Sequence, residues 1–297
     1  MSADDFTQPV KTRKQFEIKS GSAVRVTPLL RSETGEALDF LAVRPLHTVI
    51  MSGWIRDYGI VSAAHRGRFY GCRDERGRLT GIALIGRNTL FEVRTHEALA
   101  ALAEYARECP DIQMVMAEGE KLSKFWYHYA RPDRAPRLTC RELLFQIRQS
   151  VRYFDDVIDL KPATEEDLDQ IVPVHAQMVF EETGIDPLAR DAEGFRARCA
   201  ARVRQGRVWV WTRDGQLVFK TDVVSETPEA VYIEGLWTDP GERGKGYSKR
   251  CLASLCRQLS NNSRAVCGFV DVDNLAARAL YQKTGFSVQE QYAKIYL

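Results

Sequence analysis

The chain has 297 residues, enough for two domains that each bury a core. Lys and Arg number 42 against 40 Asp and Glu, a net charge of +2, which marks neither a generally basic nucleic-acid binder nor an acidic tail. Seven scattered cysteines, never in a Cys-x-x-Cys pair, read as reduced thiols, and no apolar run has signal-peptide or membrane-span length, so a cytoplasmic protein without a membrane partner is expected.

In chain order, residues 1–22 are polar and aperiodic and read as a flexible lead-in. Val24-Arg25-Val26 alternates as a strand does. Glu36–Leu41 and, past Pro45, the stretch through Val49, Ile50 and Trp54 have helical spacing. Strand-like runs follow at Arg68–Cys72, Leu79–Ile85 and Thr89–Val93, the first two joined by the turn Asp74-Glu75-Arg76-Gly77. A helix is expected from Glu97 to Glu108, then a strand at Ile112–Met116, a short helix through Phe125 and an extended segment from Leu138 to Ile147. The same order then returns. Ile158–Ala163 opens as a strand, Thr164-Glu165-Glu166-Asp167 has the form of a capping box, and Glu193–Gln205 is helical. Val208–Trp211 and Gln216–Lys220 bracket the turn Arg213-Asp214-Gly215, and a third strand begins at Val231. An internal duplication accounts for this, with domains at 23–150 and 151–297.

The run from Val231 to Gly285 is the most informative. An apolar strand leads through Asp239-Pro240-Gly241 into Arg243-Gly244-Lys245-Gly246 and then an apolar-periodic helix. Two glycines around one residue at a helix start let backbone N–H groups turn toward an anion, which the helix dipole favours, and Arg243 and Lys245 add positive charge. A pyrophosphate site follows. Arg243-Gly244-Lys245-Gly246-Tyr247, followed about thirty residues later by Asn274, Ala277, Tyr281 and Gly285-Phe286, resembles the two-part signature of the GNAT N-acetyltransferase superfamily. The resemblance covers the chain from about Ile158 onward. It implies an α/β (α+β) fold of two tandem GNAT-like domains, each a mixed, mostly antiparallel sheet flanked by helices. It also implies acetyl-CoA as cofactor, with the pyrophosphate at Arg243, Gly244, Lys245, Gly246, Tyr247 and Ser248. Main-chain groups of Leu236, Trp237 and Thr238 would hold the acetyl and pantetheine portions, where the adjoining strand diverges.

Acyl transfer to an amine needs a base for the amine and a proton for the leaving thiolate. Tyr281 is the candidate acid, since a phenol titrates above a thiol, or an amphipathic tyrosine packed in the last helix. Seven helical residues put it nearly two turns from Asn274, on one face with Ala277 between them. Asn274 fits both a pantetheine ligand and a helix N-cap. Glu234, a carboxylate interrupting an apolar strand beside the expected thioester, is the candidate base or a solvent-facing glutamate. Glu181 and Glu182, placed between the first two helices of the second domain, are candidate acceptor-binding residues or a solvated helix end. The five histidines have no metal-ligand spacing, so no metal is expected. The aromatic run Phe125–Tyr129 lacks a flanking basic stripe, so no nucleic acid is expected either.

The first half has Thr95-His96-Glu97-Ala98 where the second has its glycine loop, and its matching seven-residue spacing is Glu120 to Tyr127. It reads as a degenerate copy without the CoA loop, helping to form the acceptor cleft or an interface. The expected activity is direct acetyl transfer to a primary amine of a small molecule or peptide. Transfer of another acyl or aminoacyl group, as in mycothiol synthase or the Fem-type transferases, and a non-catalytic CoA-binding module are the alternatives.

Overall fold

The computed structural model describes residues 24–148, 159–260 and 264–297. The expected lead-in, the boundary near residue 150 and Ile158 lie outside the described residues. The first half runs β1 (Arg25–Pro28), α1 (Thr34–Ala42), α2 (Val49–Tyr58), β2 (Gly67–Arg73), β3 (Leu79–Gly86), β4 (Asn88–Val93), α3 (His96–Arg107), β5 (Met114–Glu118), α4 (Gly119–Tyr129) and β6 (Leu138–Ile147). The second half repeats that order: β7 (Lys161–Pro162), α5 (Leu168–Thr183), α6 (Pro187–Arg204), β8 (Val208–Arg213), β9 (Gln216–Glu226), β10 (Ala230–Thr238), α7 (Tyr247–Leu259), β11 (Ala265–Asp271), α8 (Leu275–Thr284) and β12 (Ser287–Tyr296).

Local chemistry explains the punctuation. The β2–β3 turn closes because Asp74 Oδ1 accepts hydrogen bonds from the Arg76 and Arg78 amides, while the β8–β9 turn uses two left-handed residues, Asp214 and Gly215. Two boundaries differ from the sequence reading. Glu181 and Glu182 lie inside the last turn of α5, which stops only at left-handed Gly184. α6 gains a short first segment at Pro187, where Asp186 Oδ1 accepts from the Leu188 amide and proline fits a first helical turn; the backbone breaks at Asp191 (φ −166°, ψ 75°), and the expected helix follows it.

The strands form one twelve-stranded mixed, mostly antiparallel sheet in the order β1-β2-β3-β4-β5-β12-β6-β11-β10-β9-β8-β7. The last strand of each half crosses over. β12 pairs with β5 of the first half, β6 pairs with β11 of the second, and β6 and β12 pair with each other. Side chains alternate between two apolar layers: Ile82, Leu84, Leu144 and Tyr292 pack under α1 and α2, whereas Ala83, Phe145 and Ile295 face α3, α4, α7 and α8. The layer under α1 and α2 also holds Val224, Tyr232 and Cys267 of the second half. α2 sits so close to β9 that a Cβ at Gly53 would stand 1.8 Å from Ser225 Oγ, which donates to Val49 O at 2.6 Å. A salt bridge of 2.7 Å from Arg207 to Asp57 closes the same border.

Candidate active site

The loop between β10 and α7 leaves a helix start open. Gly244 and Gly246 have φ of 79° and 80°, and a Cβ on either would meet nothing within 4 Å. Gly246 is the N-cap of α7 and supplies no side-chain hydrogen bond to its first turn. Arg243 Nε donates to Thr238 O at 3.1 Å, Ser248 Oγ lies 2.8 Å from Thr238 Oγ1, and Lys245 Nζ is 3.0 Å from Glu242. Arg213 donates to Tyr247 Oη at 3.0 Å, and Arg250 covers the Tyr247 ring. These contacts tie the loop to the end of β10.

Beside that loop the sheet forks. β10 and β11 pair in parallel only from Ala230–Tyr232 to Ala265–Cys267; beyond, β10 stays with β9 and β11 with β6. Leu236, Trp237 and Thr238 lie half-buried on the freed part of β10, next to a bulge between Glu234 and Trp237. Gly235 in that bulge has φ 65°, and a Cβ there would stand 3.1 Å from Asp222 Oδ2.

Below the bulge is a charge cluster that sequence reasoning missed. Lys220 and Asp222 are 0% and 1% exposed and 2.8 Å apart. His175 Nδ1 and Arg202 Nη1 approach the same Asp222 oxygen at 3.4 and 3.5 Å, and Arg202 reaches on to Glu234 at 3.6 Å. Burial opposes ionisation of Asp222, but Lys220, His175 and Arg202 together hold it well below the usual carboxylate range. The available signal was the pair of opposite charges at spacing two inside the apolar run Val218–Val224, on one face of the strand. Glu234, 38% exposed, accepts from Tyr232 Oη at 3.2 Å.

Tyr281 stands at the crotch of the fork. Only 3% exposed, it packs between Phe145 and Phe286, and a Cβ at Gly268 would lie 2.6 Å from its Oη and 3.0 Å from Ile233 O. Burial, and then Cys256, Cys267 and Glu234, push its phenol far above the usual value. Asn274 is the N-cap of α8, its Oδ1 accepting from the Ala277 amide at 2.9 Å. Glu182 is tied to β12 through Lys294 at 3.2 Å and Tyr296 Oη at 2.9 Å, while Glu181 accepts from Gln177 one turn back on α5.

The first-half correspondence shifts by two residues. Glu118 is the N-cap of α4 as Asn274 is of α8, so Tyr281 falls on buried Phe125, while Tyr127 is 82% exposed.

Residues 175–286 match the profile described as acetyltransferase (GNAT) family. No curated protein matches the chain. Among solved structures, the chain is similar to a GNAT-family acetyltransferase from Colwellia psychrerythraea (12% identity, 92% of this chain and 99% of that one, TM-score 0.60). It is similar also to a Drosophila protein (15%, 93% and 99%, TM-score 0.66) and to a tandem GNAT protein from the clavulanic acid biosynthesis pathway (14%, 92% and 98%, TM-score 0.55). Fork, open helix start and family match coincide in one stretch, and the second half of this chain carries a domain of the acetyltransferase (GNAT) family within a tandem GNAT fold.

Proposed function

We propose that the second half binds acetyl-CoA in the fork between β10 and β11 and moves the acetyl group directly to a primary amine of a small molecule or peptide, in a ternary complex. The observation that carries this reading is the end of the β10–β11 ladder at Tyr232 and Cys267, immediately before the uncapped, open-backbone start of α7. An anion fits there, because positive-φ glycines without neighbours expose amides at a helix N-terminus. Acetyl-CoA supplies an acyl thioester when bound, its pyrophosphate held by Arg243–Ser248 and its pantetheine arm by Leu236, Trp237, Thr238, Asn274 and Ala277.

Glu234 is the group that takes the amine proton, being open to solvent on one side and held by Tyr232 and Arg202 on the other. Tyr281 keeps its proton at neutral pH because burial disfavours the phenolate, so Oη has a proton to give to the departing sulfur. The cysteines of this half do not compete as nucleophiles. Burial pushes Cys251 up to about 12 and raises Cys199, Cys256 and Cys267 as well, which disfavours their thiolates and favours direct transfer. The acceptor enters between the halves, with Glu181 and Glu182 at its outer edge.

Isothermal titration with acetyl-CoA, on the native chain beside an Arg243→Ala/Lys245→Ala double variant, tests the reading. Saturable binding that the variant loses is the expected outcome. A native chain that takes up no acetyl-CoA overturns it.

A further inference from the structure

We infer that Asp222 is a positioning residue for the transfer: fixed by Lys220, it shares Arg202 with Glu234 and so keeps Glu234 able to take the amine proton. This rests on the reading of Glu234 as the base above. Glu234 and Asp222 are direct partners in the β10–β9 register, so their side chains leave the sheet on one face, next to each other. Like charges placed so are destabilising unless a cation stands between them. Arg202 of α6 supplies it through a single nitrogen: Nη1 lies 3.5 Å from Asp222 Oδ2 and 3.6 Å from Glu234 Oε1. Both contacts are long, as a nitrogen drawn to two carboxylates at once would be.

Asp222 is the fixed side of this contest. Its side chain is 1% exposed, and Lys220, 0% exposed, stands 2.8 Å from the same Oδ2. Burying such a pair costs desolvation that apolar side chains of similar volume do not, so packing gives no reason for it inside the run Val218–Val224. Asp222 Oδ1 has no hydrogen-bond partner among the described residues, which leaves Oδ2 to meet Lys220, His175 and Arg202 together. The main chain is shaped to pass over the pair. A Cβ at Gly235 would meet Asp222 Oδ2 at 3.1 Å and Lys220 Nζ at 3.3 Å, and Thr221 Oγ1 donates to Glu234 O at 3.0 Å, which ties the bulge to β9.

The consequence for the base follows from charge. A cation against Glu234 favours its carboxylate and lowers its pull on a proton, so full capture by Arg202 would weaken the base. Asp222 prevents that capture. The other titratable and charged groups around the trio come from five further elements: His175 on α5, Cys199 on α6, Tyr58 on α2, Tyr232 on β10 with Glu142 of β6 beyond it, and Tyr281 on α8. His175 meets the Asp222 end of the trio, and Tyr232 the Glu234 end.

NMR of the full chain, labelled at the glutamate carboxyl carbons and free of donor, tests this; the Glu234 signal is the one lost in Glu234→Gln. In Asp222→Asn the Glu234 titration should move to lower pH by about one unit, because Arg202 passes wholly to Glu234, and in Arg202→Gln it should move up by a similar amount. A Lys220→Met/Asp222→Asn variant removes both buried charges at once and should move the titration down as well, should the single change fail to fold. In an Arg202→Gln background, Asp222→Asn should shift it by less than half as much, since the effect runs through the arginine. A titration unmoved by Asp222→Asn, or moved equally with and without Arg202, overturns the inference. The acidic limb of kcat for thiol release should follow the same directions, with KM for the amine little changed. Shifts as expected, with no thiol released on any amine, support the sharing of Arg202 and sink the amine-transfer reading; release whose acidic limb ignores all these variants overturns the inference and removes Glu234 as the base.

Discussion

The helices that follow the third meander strand, α3 in the first half and α7 in the second, begin differently. Thr95 caps α3, its Oγ1 accepting from the Ala98 amide at 3.2 Å, and Glu97 adds a negative charge to the first turn. α7 has Gly246 in the same role, no side-chain cap and no acidic residue in its first turn. A helix start that is satisfied by its own side chain has nothing left for a phosphate. The forks differ in the same sense. β4 and β5 also part company, after Leu90 and Met116, but the gap is filled by Glu92, gripped by Arg44 at 3.2 Å and Lys121 at 3.1 Å, and by Glu118, gripped by Arg44 at 2.5 Å and His47 at 3.3 Å. What remains is a cavity of about 20 Å³, room for about one water. One sheet thus carries two forks, the first filled by an ion cluster, the second led by left-handed glycines into an uncapped helix, although the two halves share an order of elements.

The largest expected effect comes from giving the second half the residue of the first. Tyr281→Phe copies Phe125 and removes the proposed acid, so kcat for thiol release should fall roughly 10²- to 10⁴-fold with acetyl-CoA binding retained. A rate within a factor of a few of native would remove Tyr281 from the mechanism and leave it a core residue.

Acid should strain the closed fork. Burial works against a charged Glu118, yet hydrogen bonds from His47 and Arg44 and the charge of Lys121 bring it down to about 2 from 4.5. Its folded value lies below the unfolded one, so its contribution is complete above pH 4.5 and drains away as the pH falls toward 2, roughly 3 kcal/mol at most. Urea melts between pH 7 and 3 should show a smaller acid loss for Glu118→Gln than for the native chain. Parallel curves for the two proteins would mean that the cluster does not hold this fork shut.

The smallest effect separates capping from anion binding. Thr95→Ala should cost about 1 kcal/mol in a denaturant melt, as the loss of an N-cap does, and should add no second acetyl-CoA equivalent in calorimetry. A second equivalent would show that the cap alone had closed the first-half site.

Much of this molecule is written locally. Period-two and helical spacing located the two meanders and most of the helices, and Gly244 and Gly246 announced an open helix start, because each signal depends on a few neighbours along the chain. Tyr281 and Asn274 could be named from spacing, but not placed: that Tyr281 Oη stands over Gly268 and that Asn274 caps α8 are facts of packing. Spacing left Glu182 as an acceptor-binding residue or a solvated helix end, and could not foresee its contacts with Lys294 and Tyr296 of β12. The crossing of β6 and β12 and the closing of the Lys220–Asp222 pair beneath Gly235 were decided by tertiary structure. A strand's own pattern says which side chains share a face and does not name the strand beside it.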